Sequence, residues 1–213
     1  MSYVLVKRLI DILAAIALLI IFSPIMLVAA AVIKLTSPGP VFADTPKRVG
    51  KNAELFRLYK FRSMIVNAYE LLRTDPKFKK AYEEQQKGGN YKIKNDPRIT
   101  PIGKVIRKYS IDEMPQLINV LKGEMSLVGP RPYYPEELKI QRRKYPETKH
   151  LIRETLSVKP GITGYWQVSG RSNVPFDKRI AIDATYVRNL SFFLDLEIIF
   201  RTPWAMISGK GAV

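Results

Sequence analysis

The sequence predicts a mostly helical α/β protein in two parts, an apolar segment over residues 1–36 that enters a membrane and a small globular domain over residues 37–213. Three observations carry this expectation. Ile12 to Ile33 holds no charged side chain, close to the ~20 apolar residues a helix needs to reach across a bilayer. The roughly 170 residues that follow are enough for one hydrophobic core. That remainder mixes helical periodicity with short alternating runs and turn signals, without internal repeats.

The apolar segment has two readings. A single span should be basic at one end and poor in Lys and Arg at the other. Here Lys7 and Arg8 precede it, and Lys34, Lys47, Arg48 and Lys51 follow. Ser23-Pro24 sits at its midpoint, where proline removes one backbone donor and crowds the carbonyl four residues earlier. A serine hydroxyl can satisfy a carbonyl freed in this way. A helix–break–helix with both ends on the cytoplasmic side, dipping into one leaflet, competes with a kinked span.

Ser37-Pro38-Gly39-Pro40 ends the segment as a rigid turn. Leu55 to Tyr59 alternates as a short strand and leads into Lys60-Phe61-Arg62. Helices are expected over 66–73 and 77–87, followed by a Gly88-Gly89-Asn90 turn and a loop at Asn95-Asp96-Pro97. Thr100-Pro101 reads as an N-cap with proline at the first helical position, so a helix runs to about Tyr109. A second helix starts at Ser110, with Ile111, Met114, Leu117, Ile118 and Leu121 at helical spacing, and stops near Gly123. Gly129-Pro130-Arg131-Pro132 forms a stiff loop before a charged helix over 135–145, and turn signals fill 158–170. A helix over 175–190 precedes a last amphipathic element carrying Phe192, Phe193, Leu196, Ile199 and Phe200, then Pro203 and Trp204. That element suits either the membrane interface or an ordinary core face.

Composition narrows the chemistry. There are 35 Lys plus Arg against 19 Asp plus Glu, a net charge of +16 that attracts polyanions. Beside a membrane segment, lipid headgroups and phosphates outrank nucleic acid as partners. Cysteine is absent and His150 is the single histidine, which excludes disulfides, thiolate nucleophiles and His- or Cys-rich metal sites. Catalysis would fall to Asp, Glu, Lys, Arg, Ser or Tyr.

The densest candidate is Arg107-Lys108-Tyr109-Ser110-Ile111-Asp112-Glu113-Met114-Pro115. Ser110 and Glu113 match a capping box, a purely structural reading. Yet Asp112 and Glu113 are adjacent, only one is needed for capping, and Arg98, Lys104, Arg107 and Lys108 crowd the approach. Two carboxylates repel a phosphate unless a divalent cation joins them, and Mg²⁺ favours one or two carboxylates plus phosphate oxygens. A carboxylate is also a plausible nucleophile on phosphorus. Arg131, fixed between two prolines, presents a planar fork suited to phosphate, and Lys60 and Arg62 offer a second phosphate contact or a solvated surface.

In this order the residues resemble the monotopic polyprenyl-phosphate phosphoglycosyl transferases, the bacterial sugar transferase family. The matching segments are Lys7-Arg8 with Asp11, Ser23-Pro24, Ser37 to Phe42, Tyr59 to Met64, Arg107 to Leu117, Gly123 to Pro132, and Lys159 to Gly164. The resemblance implies a re-entrant membrane helix and a catalytic domain on the cytoplasmic face of the bacterial inner membrane, with interfacial amphipathic helices. It implies transfer of a sugar 1-phosphate from a UDP-sugar to undecaprenyl phosphate with release of UMP, nucleic acid having no part. Asp112 would be the nucleophile, Glu113 with Asp112 the Mg²⁺ ligands, and Lys60, Arg62, Arg107 and Arg131 the phosphate-binding cations.

Gly164 to Arg171 and Tyr186-Val187-Arg188-Asn189 look more like members using galactose or glucose donors than those using N-acetylated sugars, and Arg171 is expected to help bind the donor. Many hexose-type members carry further N-terminal helices, so the chain is either a short member or the catalytic portion of a longer protein. Oligomeric state stays open, a homodimer among the alternatives. The competing reading is a non-catalytic, membrane-anchored basic protein that binds nucleic acid or anionic lipid.

Overall fold

The computed structural model describes residues 3–88, 93, 95–169 and 174–207. In chain order it contains α1 (Tyr3–Thr36), β1 (Arg48–Val49), β2 (Leu55–Phe56), α2 (Ala68–Thr74), α3 (Lys79–Gly88), α4 (Pro101–Lys108), α5 (Gln116–Lys122), β3 (Ser126–Val128), α6 (Pro135–Lys144), α7 (Lys149–Thr155), β4 (Gly161–Thr163), α8 (Tyr165–Ser169), α9 (Phe176–Arg188) and α10 (Phe192–Ile207). Helix dominates, as expected. β1 and β2 form an antiparallel ribbon, and β3 and β4 pair in parallel with Ser126 opposite Gly161. The expected strand from Leu55 shrinks to two residues, and the Gly89-Asn90 turn lies outside the described residues.

Among the described residues, α1 is the one helix long and apolar enough to cross a membrane. The expected break at Ser23-Pro24 does not interrupt it: helix runs from Tyr3 to Thr36 with Pro24 inside. The reason is local. Pro24 has no N–H to give to the Ile20 carbonyl, and the Ser23 hydroxyl donates to that carbonyl instead at 2.8 Å.

Both ends of α1 grip the domain. Near the start, Lys7 pairs with Asp195 at 2.6 Å, and Tyr3 donates to the same carboxylate at 2.8 Å. Arg8 donates to the carbonyls of Val120 and Leu121 at the end of α5, where a cation suits the helix dipole. The Asp11 carboxylate accepts the Leu127 N–H at 3.0 Å. Ala15 then packs with Phe56, Leu58, Leu117, Val120 and Met125, while Ala29 and Ile33 pack with Phe61 and Ile106. Full burial of a side chain such as Ile33 stabilises by about 1.5–3 kcal/mol. The outer face of α1 leaves Leu9, Leu13, Ile20, Ile21, Leu27 and Val28 exposed.

Two backbone approaches fix the site's surroundings. A side chain on Gly103 of α4 would meet the Ser63 carbonyl oxygen at 1.9 Å, so only glycine lets α4 lie on the 61–64 segment. A Cβ on Gly161 would lie 2.1 Å from the Gly129 nitrogen, which brings the Gly129–Pro132 loop against β4. Farther along, α10 buries Ile198 and leaves Phe193, Phe200 and Trp204 exposed.

Candidate active site

The Asp-Glu pair stands on a short 3₁₀ turn, Ile111–Glu113, and not on the long helix expected from Ser110. Pro115 has no N–H to continue such a helix, so α5 begins only after it. The capping box also fails: Ser110 is left-handed at φ 55° and its side chain caps nothing. The turn that results buries Asp112 to 2% exposure and leaves the Glu113 side chain 42% exposed.

Lys60 joins the two carboxylates. Its Nζ lies 2.8 Å from Asp112 Oδ2 and 3.3 Å from Glu113 Oε1. The segment that carries it is held on both sides. Phe61 N–H donates to the Asp112 carbonyl at 3.0 Å, and Tyr59 N–H donates to the Asn119 side chain at 2.9 Å. Asn119, fully buried on α5, donates in turn to the Arg57 carbonyl and to Glu124.

Burial pushes the Asp112 carboxyl above its ordinary range, with Glu113 adding to the rise and the Lys60 and Arg107 charges opposing it. For Lys60, burial works against the ammonium, but Asp112 and Glu113 outweigh it and hold the group above its usual value. Arg107, near the end of α4, lowers the cost of charge on Asp112 and stands half-buried beside the pair. Burial thus disfavours the charged form of the carboxylate and the close ammonium favours it, a balance found where a carboxylate is kept reactive.

The remaining predicted residues are distributed unevenly. Arg62 is directed away from the pair: its guanidinium donates to the carbonyls of Ser37 and Pro38, tying down the turn that ends α1. Arg131 lies over the Trp166 ring at 5.3 Å. Arg171 lies outside the described residues. Ser23 and Pro24 sit within α1, remote in sequence from every domain contact of its first turns. Among the described residues no three His, Asp or Glu side chains converge as a metal site.

Sequence reasoning missed a polar layer beneath the Arg131 loop. Arg179 and Asp183 lie one turn apart on α9; Arg179 donates to Glu137 at 2.8 Å, and Tyr133 donates to Asp183 at 2.9 Å. All four side chains are buried. Burial pushes the Asp183 carboxyl up to about 7. Arg48 is also buried, stacked at 3.2 Å on the Tyr134 ring. The only local signal was charge at isolated positions in otherwise ordinary helix and strand patterns.

Fold and site together define a membrane-associated protein with a carboxylate–cation centre suited to phosphoryl groups. The chain belongs to the bacterial sugar transferase family, which it matches over residues 2–209. The undecaprenyl-phosphate galactose phosphotransferase of Salmonella typhimurium is 43% identical over 210 residues, 97% of this chain and 41% of that protein. The exopolysaccharide production protein ExoY of Rhizobium meliloti is 41% identical over 97% of this chain and 87% of its own length. The UDP-N-acetylgalactosamine-undecaprenyl-phosphate N-acetylgalactosaminephosphotransferase of Aeromonas hydrophila is 42% identical over 99% of this chain and 45% of its own length. The chain thus spans less than half the length of the Salmonella and Aeromonas relatives.

Proposed function

We propose that the chain is a phosphoglycosyl transferase that moves a hexose 1-phosphate, with galactose or glucose favoured, from a UDP-sugar to undecaprenyl phosphate. This is the first membrane step in building a glycoconjugate such as an exopolysaccharide, capsule, O-antigen or S-layer glycan. The observation that carries it is the buried Asp112 carboxylate, held 2.8 Å from Lys60 beside Glu113. The names of the relatives support undecaprenyl phosphate as acceptor. They include both galactose and N-acetylgalactosamine enzymes at similar identity, so the hexose preference rests on Gly164 to Arg171 and Tyr186 to Asn189.

In the first half-reaction an Asp112 carboxylate oxygen attacks the β-phosphorus of the donor. The bond from that phosphorus to the bridging oxygen breaks, and UMP leaves with the electron pair. In the second, an oxygen of undecaprenyl phosphate attacks the same phosphorus, and the Asp112–phosphorus bond breaks to regenerate the carboxylate. Lys60 and Arg107 balance charge that develops on the phosphoryl oxygens. The donor set fits Mg²⁺, because Asp112 and the outward Glu113 supply the one or two carboxylates this ion takes alongside phosphate oxygens. Bound there, Mg²⁺ would neutralise the donor's diphosphate.

The contacts of α1 support a re-entrant reading on the cytoplasmic face of the inner membrane. A span would put roughly 30 Å of hydrocarbon between the two ends of a helix. Here Arg8 and Asp11 at one end, and Ala29 and Ile33 at the other, all pack on the same domain. The exposed Phe193, Phe200 and Trp204 of α10 suit the headgroup layer beside it.

The test uses the purified chain with UDP-galactose, UDP-glucose or UDP-N-acetylgalactosamine, Mg²⁺ and undecaprenyl phosphate. Wild type should release UMP with at least one donor, and Asp112→Asn should release none above background. Full activity in that variant would sink the nucleophile assignment.

A further inference from the structure

We propose that Arg48 is a second guanidinium of the sugar-nucleotide site, binding the donor's diphosphate together with Arg131. The inference rests on the proposed transferase function and adds to it a residue and a direction of approach.

The geometry begins with β1. Val49 N–H donates to the Tyr133 carbonyl at 2.9 Å, so β1 runs along the end of the Gly129–Pro132 loop. From there the Arg48 side chain crosses the loop. Its Nη1 lies 3.4 Å from the Pro132 carbonyl, a long contact, and the guanidinium carbon sits 3.2 Å from the centre of the Tyr134 ring. Arg131 is one residue before that proline, held by prolines on both sides and stacked toward Trp166. Two guanidinium groups are therefore fixed on one short, stiff stretch of chain.

Seven other arginines are engaged within the protein. Arg73, Arg98, Arg179, Arg188 and Arg201 each pair with a carboxylate, and Arg8 and Arg62 are spent on backbone carbonyls. Among the described residues neither Arg48 nor Arg131 has an ion-pair partner, and the Nε of each is buried without a hydrogen-bond partner. Arg48 is only 9% exposed. Burial makes the Arg48 charge costly, the Arg131 charge adds to that cost, and the charges of Glu137 and Glu113 offset it only in part. An anion with several acceptor oxygens removes that cost, and a diphosphate offers acceptors to two planar forks at once. The charges of Arg131, Glu137 and Glu113 are within electrostatic reach of Arg48, and Glu113 is one of the two carboxylates of the candidate site.

Position separates the soluble donor from the lipid acceptor. Arg107 approaches the pair on α4, whose Ile102 and Ile106 pack against Ala29 and Ile33 of the membrane helix. Arg48 and Arg131 approach on β1 and the Gly129–Pro132 loop, which meet α1 only through Phe56 and Leu127, while Tyr133 after the loop packs with Ile152, Phe176 and Ile180. The phosphate that Arg48 meets is thus the donor's.

UDP is the probe. Its binding to wild type, Arg48→Lys and Arg48→Ala is measured by calorimetry in detergent with Mg²⁺, alongside the melting temperature of each. Donor and acceptor KM are then measured separately. Both variants should weaken UDP binding about ten-fold or more and raise donor KM in step, because a lysine cannot reproduce the bidentate fork. Acceptor KM should stay within about two-fold of wild type. Unchanged UDP affinity in Arg48→Lys, or a rise confined to acceptor KM, overturns the assignment, as does a wild-type chain that binds no UDP. If wild type binds UDP through Arg48 but releases no UMP from any donor, the transferase reading fails and the diphosphate site stands. Arg48→Lys retains the stacked cation, so a folding failure of Arg48→Ala leaves the comparison intact.

Discussion

Replacing Asp183 by Asn should flatten the dependence of this protein's stability on pH. The Asp183 carboxyl is fully buried on α9 and accepts from the Tyr133 hydroxyl at 2.9 Å. Burial moves it from 3.8 up to about 7, against the pull of Tyr133, the Arg131 peptide N–H and the charges of Arg179 and Arg131. Below pH 4 the group is protonated in both folded and unfolded chains and contributes no pH dependence. Between about 4 and 7 the unfolded chain gives up the proton while the folded chain retains it, so stability falls as pH rises. At 1.36 kcal/mol per unit the loss is on the order of 4 kcal/mol by pH 8. An asparagine keeps a carbonyl for Tyr133 and has nothing to ionise. The charges of Arg131 and Arg179, and of the Glu137 that Arg179 pairs with at 2.8 Å, are common to both proteins and cancel in the comparison. Melting temperatures of wild type and Asp183→Asn, measured in detergent from pH 4.5 to 8.5, should diverge in the variant's favour through the neutral range and then run parallel. For a chain of this size the divergence is on the order of 10 °C. Curves that stay parallel across the whole range would refute the assignment of a buried, proton-holding carboxyl.

Two further outcomes are expected. Arg62→Met should lower the melting temperature, by about 2 kcal/mol of stability for two charge-assisted bonds to Ser37 and Pro38, yet leave donor KM near wild type. A large rise in donor KM would return Arg62 to the phosphate site. Single cysteines introduced as Ser2→Cys and Lys47→Cys, in vesicles of defined orientation, should react with an impermeant maleimide from the same side, and opposite-side labelling would rule out the re-entrant reading.

What could be read from the sequence depended on how local its cause was. The Asp112-Glu113 pair was legible because its residues are consecutive and the lack of Cys and the single His left few other chemistries. Lys60 stands out in the sequence as part of a basic patch, but its contact with Asp112 joins residues on separate elements and needed the fold. The hydrogen bonds of Arg62 were hidden for the same reason. Its alternation with Lys60 suggested a shared duty, whereas its partners are carbonyls of a turn that only tertiary packing brings alongside. The failed capping box has a different origin: Ser110 and Glu113 satisfy the pattern, but the end of α4 and Pro115 leave a single tight turn between them. Arg48, Arg179 and Asp183 carried no local signal, since their burial is set by contacts such as Tyr133 to Asp183 across 50 residues.

The membrane helix is part of the site's framework and not only its tether. Arg8 caps α5, the helix whose Asn119 holds the segment bearing Lys60. Asp11 fixes Leu127, two residues before the Gly129–Pro132 loop that carries Arg131. Ala29 and Ile33 support α4, which carries Arg107 beside the carboxylates. Lys60 and Arg107, the cations acting on Asp112, and the loop of Arg131 are thus each tied to α1 through these contacts. Cutting the helix away would expose the faces of Phe61, Ile106, Leu117 and Val120 to water, and with them would go the registration of the catalytic groups. The carboxylate–cation centre is, on this architecture, ordered by the one long apolar helix of the described chain.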